Sequence, residues 1–234
     1  MDKVLPRRLG AEPIVDAICE IRFEKSLLDI VGLLPGLLME KIGTIDEINR
    51  LLPSHLPPMI EIGELADQAH VRLKSGDMYV SIGPRVLAVA MPNPYPGWTT
   101  FRSAAQGVFE LAMRRGLVGD VSRVSVRYTD LIDAGAFHQL NASLMLGGTD
   151  NFEAVEIKAV RSIEGARVVS SIASPASTTD GRSGLVVDTD TMMESPADFW
   201  ENAGEHLDQL HRISKEVFFD LMTADTLASL HPEY

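Results

Sequence analysis

The chain has 234 residues, and 45% of them are hydrophobic, which is enough for a globular core in a single domain over residues 1–234. Its formal net charge of −12 repels phosphate backbones and argues against free nucleic acid as a partner. Cys19 is the only cysteine, so an intrachain disulfide is excluded. The sequence shows no signal peptide and no apolar run of about 20 residues, so we expect a cytoplasmic protein without a membrane segment.

Alternating apolar and polar residues predict a first strand over Val15–Phe23. Its odd-numbered residues form the core face and include Cys19, because a free cysteine in such a strand usually acts as a small buried hydrophobe. Ser26 is the expected N-cap of a following helix. Pro35 and Gly36 should kink or end that helix, since proline lacks the backbone donor and clashes with the preceding turn.

Short strands separated by turn residues follow, which is typical of an antiparallel meander. The predicted strands are Met59–Glu64, His70–Lys74, Met78–Ile82 and Arg85–Met91. A proline-rich segment, residues 92–97, closes the meander. The apolar spacing after it predicts a helix from Trp98 to Arg115, with Gly116 as its stop.

The second half contains four predicted strands and the best-marked helix. The strands are Arg123–Ile132, Phe152–Ser162, Ala166–Ser174 and Gly184–Asp190. In the terminal helix, Ser195 is the expected N-cap and Asp198 the acidic partner of a capping box. Apolar residues, among them Leu207 and Leu210, recur along this helix at steps of three and four, so one face should cover a sheet.

This order of elements predicts an α+β fold, in which a curved antiparallel sheet carries helices on one face and a long helix ends the chain. Each of the segments 1–118 and 119–234 ends in a helix, which suggests two related α+β halves within the domain.

Arg22 and Arg127 are the candidate binding residues. Each lies in an otherwise apolar or aromatic strand and, by alternation, points to the face away from the core. If the two strands are neighbours, the guanidinium groups could hold an anion between them. The alternative is ordinary pairing with carboxylates of the sheet, for which Glu20, Asp16 and Asp130 are the candidates.

Two other patterns resemble metal sites. Asp188 and Asp190 alternate after an apolar strand and would share one face, but the spacing fixes no third ligand. His206 and His211 are five residues apart on the terminal helix, whereas zinc pairs on one helical face prefer four. The sequence therefore assigns no metal site, and the lack of phosphate-binding or nucleophile-elbow motifs assigns no cofactor and no catalytic residue.

Four segments resemble a sporadically distributed bacterial family of roughly 250-residue proteins with no assigned function. They are Pro13–Phe23, Ser125–Tyr128 (with Ser125 in place of the family's glycine), Leu185–Asp190, and Leu210-His211 followed by Val217–Phe219. The resemblance spans most of the chain and brings no catalytic residues. The family's patchy distribution implies mobile accessory genes, such as phage-defence or toxin-associated loci.

Three functions follow as hypotheses. The first is a non-enzymatic binding or adaptor protein that works with a partner protein or a second copy of itself. The second is a small-molecule binding protein with an apolar cavity under the terminal helix. The third is a metal-dependent hydrolase or nuclease that uses Asp188 and Asp190.

Overall fold

A computed structural model describes residues 4–51, 67–133, 135–178 and 181–234. Within these ranges the strands are β1 (Arg8–Leu9), β2 (Ile14–Phe23), β3 (Glu47–Arg50), β4 (Val71–Ser75), β5 (Met78–Gly83), β6 (Val86–Pro92), β7 (Val121–Asp133), β8 (Val155–Ile163), β9 (Ala166–Ser177), β10 (Ser183–Glu194) and β11 (Pro232–Glu233). The helices are α1 (Ile30–Ile42), α2 (Trp98–Arg114), α3 (Phe199–Leu221) and α4 (Ala224–Ser229).

Nine strands form one open sheet in the order β3-β4-β5-β6-β2-β7-β10-β9-β8, and every described neighbour pair is antiparallel. Outward from the central β2–β7 pair, the order is β6-β5-β4 on one side and β10-β9-β8 on the other. Each meander leads into a helix, α2 or α3. The predicted α+β class is confirmed, and the repeated strand order is what two related halves would produce.

The central strands follow the predicted alternation. Ala17, Cys19 and Ile21 of β2 are fully buried, and they pack with residues from both halves in one hydrophobic core. Burial raises the pKa of the Cys19 thiol, so this cysteine is a core residue. Each large apolar side chain buried in this way stabilises the fold by about 1.5–3 kcal/mol.

Helix α1 differs from its prediction both in where it begins and in where it ends. It begins at Ile30, with the Asp29 carboxylate accepting a hydrogen bond from the Gly32 amide at 3.0 Å, so Ser26 is not its cap. It also continues through Pro35 to Ile42. Interior proline costs about 3 kcal/mol, but Leu34 and Leu38 on either side of it are fully buried. Their burial offsets that cost.

Helix α3 also begins later than predicted. Ser195 has a left-handed backbone (φ 46°) and precedes the helix, which starts at Phe199. The Asp198 carboxylate is hydrogen-bonded to the side chains of Asn202 and His206, so the expected capping box is wrong. The apolar face itself is confirmed, because Leu207 is fully buried against the sheet.

Strand β3 at the sheet edge was not predicted, and its four residues are all exposed. The predicted strand Met59–Glu64 lies outside the described residues. The other predicted strands are present with shifted ends. In the part of the chain that the structure describes, no helix has both the length and the apolar character that crossing a membrane requires.

Candidate functional site

A cavity of about 680 Å³ lies on the helix-covered side of the sheet. It is lined by the N-terminal segment before β2, the proline-rich loop before α2, the central strands β7 and β10, and α3. Its apolar and aromatic walls are formed by Pro13, Tyr95, Trp98, Tyr128, Phe218 and Phe219. This volume lies within the usual range for small-molecule sites.

The loop before α2 is fixed to β2 and presents its aromatic residues to the cavity. The backbone amide of Asn93 donates to the Val15 carbonyl at 3.1 Å, and its side-chain amide donates to the Ile14 carbonyl at 3.2 Å. Gly97 has a positive φ of 87°, which glycine adopts without strain. Helix α2 begins at the next residue, Trp98.

Trp98 joins α2 to α3. Its indole ring stacks on the imidazole of His211, with ring centroids 4.2 Å apart and an angle of 8° between the planes. Its Nε1 donates to Asp208 at 2.7 Å, and the same carboxylate pairs with Arg102 of α2. These contacts position the Trp98 ring between the two helices.

A chain of hydrogen bonds crosses the cavity wall from the loop to α3. The hydroxyl groups of Tyr95 and Tyr128 are 3.2 Å apart, and the Tyr128 hydroxyl is 2.9 Å from His211 Nδ1. Burial, together with the charge of Lys215, lowers the pKa of His211 to about 4. Burial also raises the pKa of both tyrosines. The chain is therefore uncharged at neutral pH.

Asp130 is the most unusual residue of the cavity. It follows Tyr128 on the core face of β7 and is only 3% exposed. Among the described residues, no hydrogen bond and no opposite charge lowers the pKa of its carboxyl group. Its pKa is raised well above the ordinary value, first by burial and then by the charges of Glu12 and Asp188. The protein thus retains a buried carboxyl group at a cost in stability.

Thr189 is a second buried polar group without a partner. It lies on β10 directly opposite Tyr128 and lines the cavity. Its Oγ1 is buried and makes no hydrogen bond within the described ranges. By contrast, Ser214 of α3, nearby in the same wall, donates to Thr191 at 2.8 Å. Buried polar atoms are nearly always paired, so unpaired groups facing a cavity are candidate ligand contacts.

The charged residues of the cavity are unevenly placed. Glu12 lies at the exposed rim and is close enough to raise the pKa of Asp130. The exposed Arg8, also at the rim, attracts Glu12. Lys215 lies on α3 one turn after His211, where burial lowers its pKa. The carboxyl groups and the ammonium group thus come from different elements of the wall.

Arg22 and Arg127 lie on neighbouring strands and on the helix-free face, but they are not opposite each other. Arg22 faces Arg123 across the β2–β7 pair, whereas Arg127 faces Ile18. Arg22 pairs with Glu20 at 2.7 Å. Each arginine already has a carboxylate partner in its own chain, and an anion held between the two guanidinium groups stays a prediction.

Arg127 forms the stronger of these contacts. Its guanidinium Nε lies 3.0 and 2.9 Å from the two carboxylate oxygens of Asp188, and Thr129 donates to the same carboxylate at 2.8 Å. The side chain of Asp188 is 12% exposed, so it depends on this partner. Asp130, one of the candidate partners, lies on the opposite face of β7, and pairing with it is wrong.

Asp188 and Asp190 share the helix-free face, as their alternation predicts. Asp188 is occupied by Arg127 and Thr129, and a cation bound there would have to compete with the guanidinium group. Asp190 is half-buried, and burial raises its pKa. Within the described ranges, no three histidine, cysteine or acidic residues are grouped in a way that could hold a metal ion.

The two histidines of the terminal helix diverge, as their spacing predicts. His206 contacts Asp198 at 3.0 Å, outside the cavity. His211 belongs to the cavity wall, which its position in the sequence did not reveal. One sequence signal could have revealed Asp130: in the alternation of β7 it is a carboxyl group at a core-facing position, two residues after Tyr128.

The sequence matches no protein-family model and none of the curated proteins with which it was compared.

Proposed function

We propose that this chain is a small-molecule binding protein whose ligand occupies the cavity between the N-terminal segment, the loop before α2 and helix α3. The observation that carries the proposal is a pair of buried polar groups in the wall of a cavity of about 680 Å³: the Asp130 carboxyl group, on which no opposite charge of the described chain acts, and the unpaired Oγ1 of Thr189. A ligand atom that hydrogen-bonds to these groups would remove a cost of about 1–3 kcal/mol for each.

The aromatic wall supports the same proposal. Tyr95, Trp98 and Phe218 offer ring faces and edges to the cavity, and such surfaces bind the apolar part of a ligand. The neutral chain from Tyr95 through Tyr128 to His211 adds uncharged hydrogen-bonding groups. An apolar wall with a few polar groups at fixed positions is the usual composition of a small-molecule site.

The proposal is tested by calorimetric titration with 2-phenylethanol, a neutral probe with one ring and one hydroxyl group. We expect binding between about 1 μM and 1 mM, or about −8 to −4 kcal/mol, because so small a probe uses only part of the cavity. Lys215→Trp places a bulky ring at the cavity wall and should weaken binding about tenfold.

The matched control is Asp220→Trp, which adds the same ring to an exposed position of the same helix. It should bind the probe like the wild type. An absence of measurable binding to the wild type, or equal weakening by both tryptophan variants, would contradict the proposed site.

A further inference from the structure

We propose that the natural ligand is an organic cation whose protonated amino group lies between Asp130 and Glu12, with its apolar part against the aromatic wall. This inference rests on the proposed function and names the chemical class of the ligand.

Two carboxyl groups line the part of the cavity where the cation would bind. Asp130 and Glu12 line the same cavity and are close enough for the charge of Glu12 to act on Asp130. No cation in the described chain offsets this repulsion at Asp130, because the charges that act on it are those of Glu12 and Asp188. An ammonium group from the ligand would be the missing counter-charge, and it can donate to both carboxylates.

The cationic residues of the cavity act on groups other than Asp130. Arg7 and Arg8 are exposed at the rim, and Arg8 acts on Glu12. Lys215 acts on His211, and neither Lys215 nor an arginine contributes to the pKa of Asp130. An anionic group near Asp130 would therefore meet two carboxyl groups, of which only Glu12 is acted on by a cation of the described chain, and this disfavours anions at that end of the cavity.

The aromatic walls of the cavity and the net charge of the chain also favour a cation. The rings of Tyr95, Trp98 and Tyr128 line the same cavity as Asp130, and aromatic ring faces attract cations. The chain as a whole carries a net charge of −12, which raises the local concentration of cations around it.

The test compares three probes of similar size and different charge: 2-phenylethylamine, 2-phenylethanol and 3-phenylpropionate. Calorimetry at neutral pH should show that the amine binds about tenfold or more tightly than the alcohol, and that the carboxylate binds most weakly. Asp130→Asn should remove most of the preference for the amine, measured as the ratio of the affinities for the amine and the alcohol.

Asp133→Asn is the control, since it removes the same charge from an exposed position of the same strand. It should keep the preference for the amine. If the alcohol binds as tightly as the amine, or if Asp130→Asn leaves the preference intact, the cation inference is overturned while the cavity remains a binding site. If none of the three probes binds, the proposed function fails and the inference fails with it.

Discussion

Replacing Leu207 with alanine is expected to lower the free energy of unfolding by about 2–5 kcal/mol. Leu207 is fully buried in the core that α3 forms with the sheet, so the substitution removes apolar contacts and leaves a cavity. For a chain of this size the loss corresponds to a decrease of about 4–20 °C in Tm.

Thermal and urea unfolding of the variant measure this loss. Glu205→Ala is the control, because Glu205 is exposed two residues earlier on the same helix and its replacement should change stability by about 0.5 kcal/mol or less. A Leu207→Ala variant that melts with the wild type would contradict the packing of α3 on the sheet.

Replacing Asp130 with asparagine is expected to stabilise the protein at neutral and mildly alkaline pH. The folded state raises the pKa of this carboxyl group, so it holds the proton more tightly than the unfolded chain does. Stability is therefore lost as the pH rises from the unfolded value of about 3.9 towards the raised folded value. Asparagine has no charge to bury and does not suffer this loss.

The size of this effect should be on the order of 1 kcal/mol or more, and each kcal/mol corresponds to about 2–4 °C in Tm. The gain should shrink as the pH falls to about 4, where the unfolded carboxyl group is itself protonated. Asp133→Asn should show no such dependence, because Asp133 is exposed. A loss of stability at neutral pH would mean that Asp130 has a stabilising partner, and it would contradict the raised pKa of this carboxyl group.

If a substitution of Asp130 stabilises the protein, this would also indicate that the carboxyl group is kept for function. Buried polar groups that cost stability are retained where they contact a ligand or take part in chemistry. Combined with a loss of preference for 2-phenylethylamine, the stability gain would distinguish a ligand-contacting carboxyl group from one kept for the fold alone.

Much of the fold could be predicted because its main elements have strong local patterns. Alternation marks both faces of β2 and β7, and steps of three and four mark the apolar face of α3. Local sequence signals gave a wrong prediction where the packing of neighbouring side chains outweighed the local preference of a residue. Pro35 remains inside α1 because Leu34 and Leu38 beside it are buried.

The candidate site was harder to predict, because its residues come from segments that are far apart in the sequence. Trp98, Tyr128 and His211 meet only when α2, β7 and α3 are packed together, and none of them lies in a sequence motif that indicates a binding site. Alternation predicts Arg22 and Arg127 as binding residues because it places them on the face away from the core. The same rule, applied to β7, places Asp130 on the core side and would have given a signal for the cavity, but Asp130 was considered only as a partner of the arginines.

The most direct test of ligand binding in this cavity uses the two tryptophans of the chain. Trp98 lines the cavity, whereas the Nε1 of Trp200 donates to the Gly119 carbonyl at 3.2 Å outside it. Two indole N–H signals should therefore appear in a ¹⁵N–¹H correlation spectrum, and Trp98→Phe and Trp200→Phe assign them. During titration with 2-phenylethanol, the Trp98 signal should shift and saturate while the Trp200 signal stays in place. A titration in which the Trp98 signal does not move, or moves no more than that of Trp200, would contradict binding in the cavity.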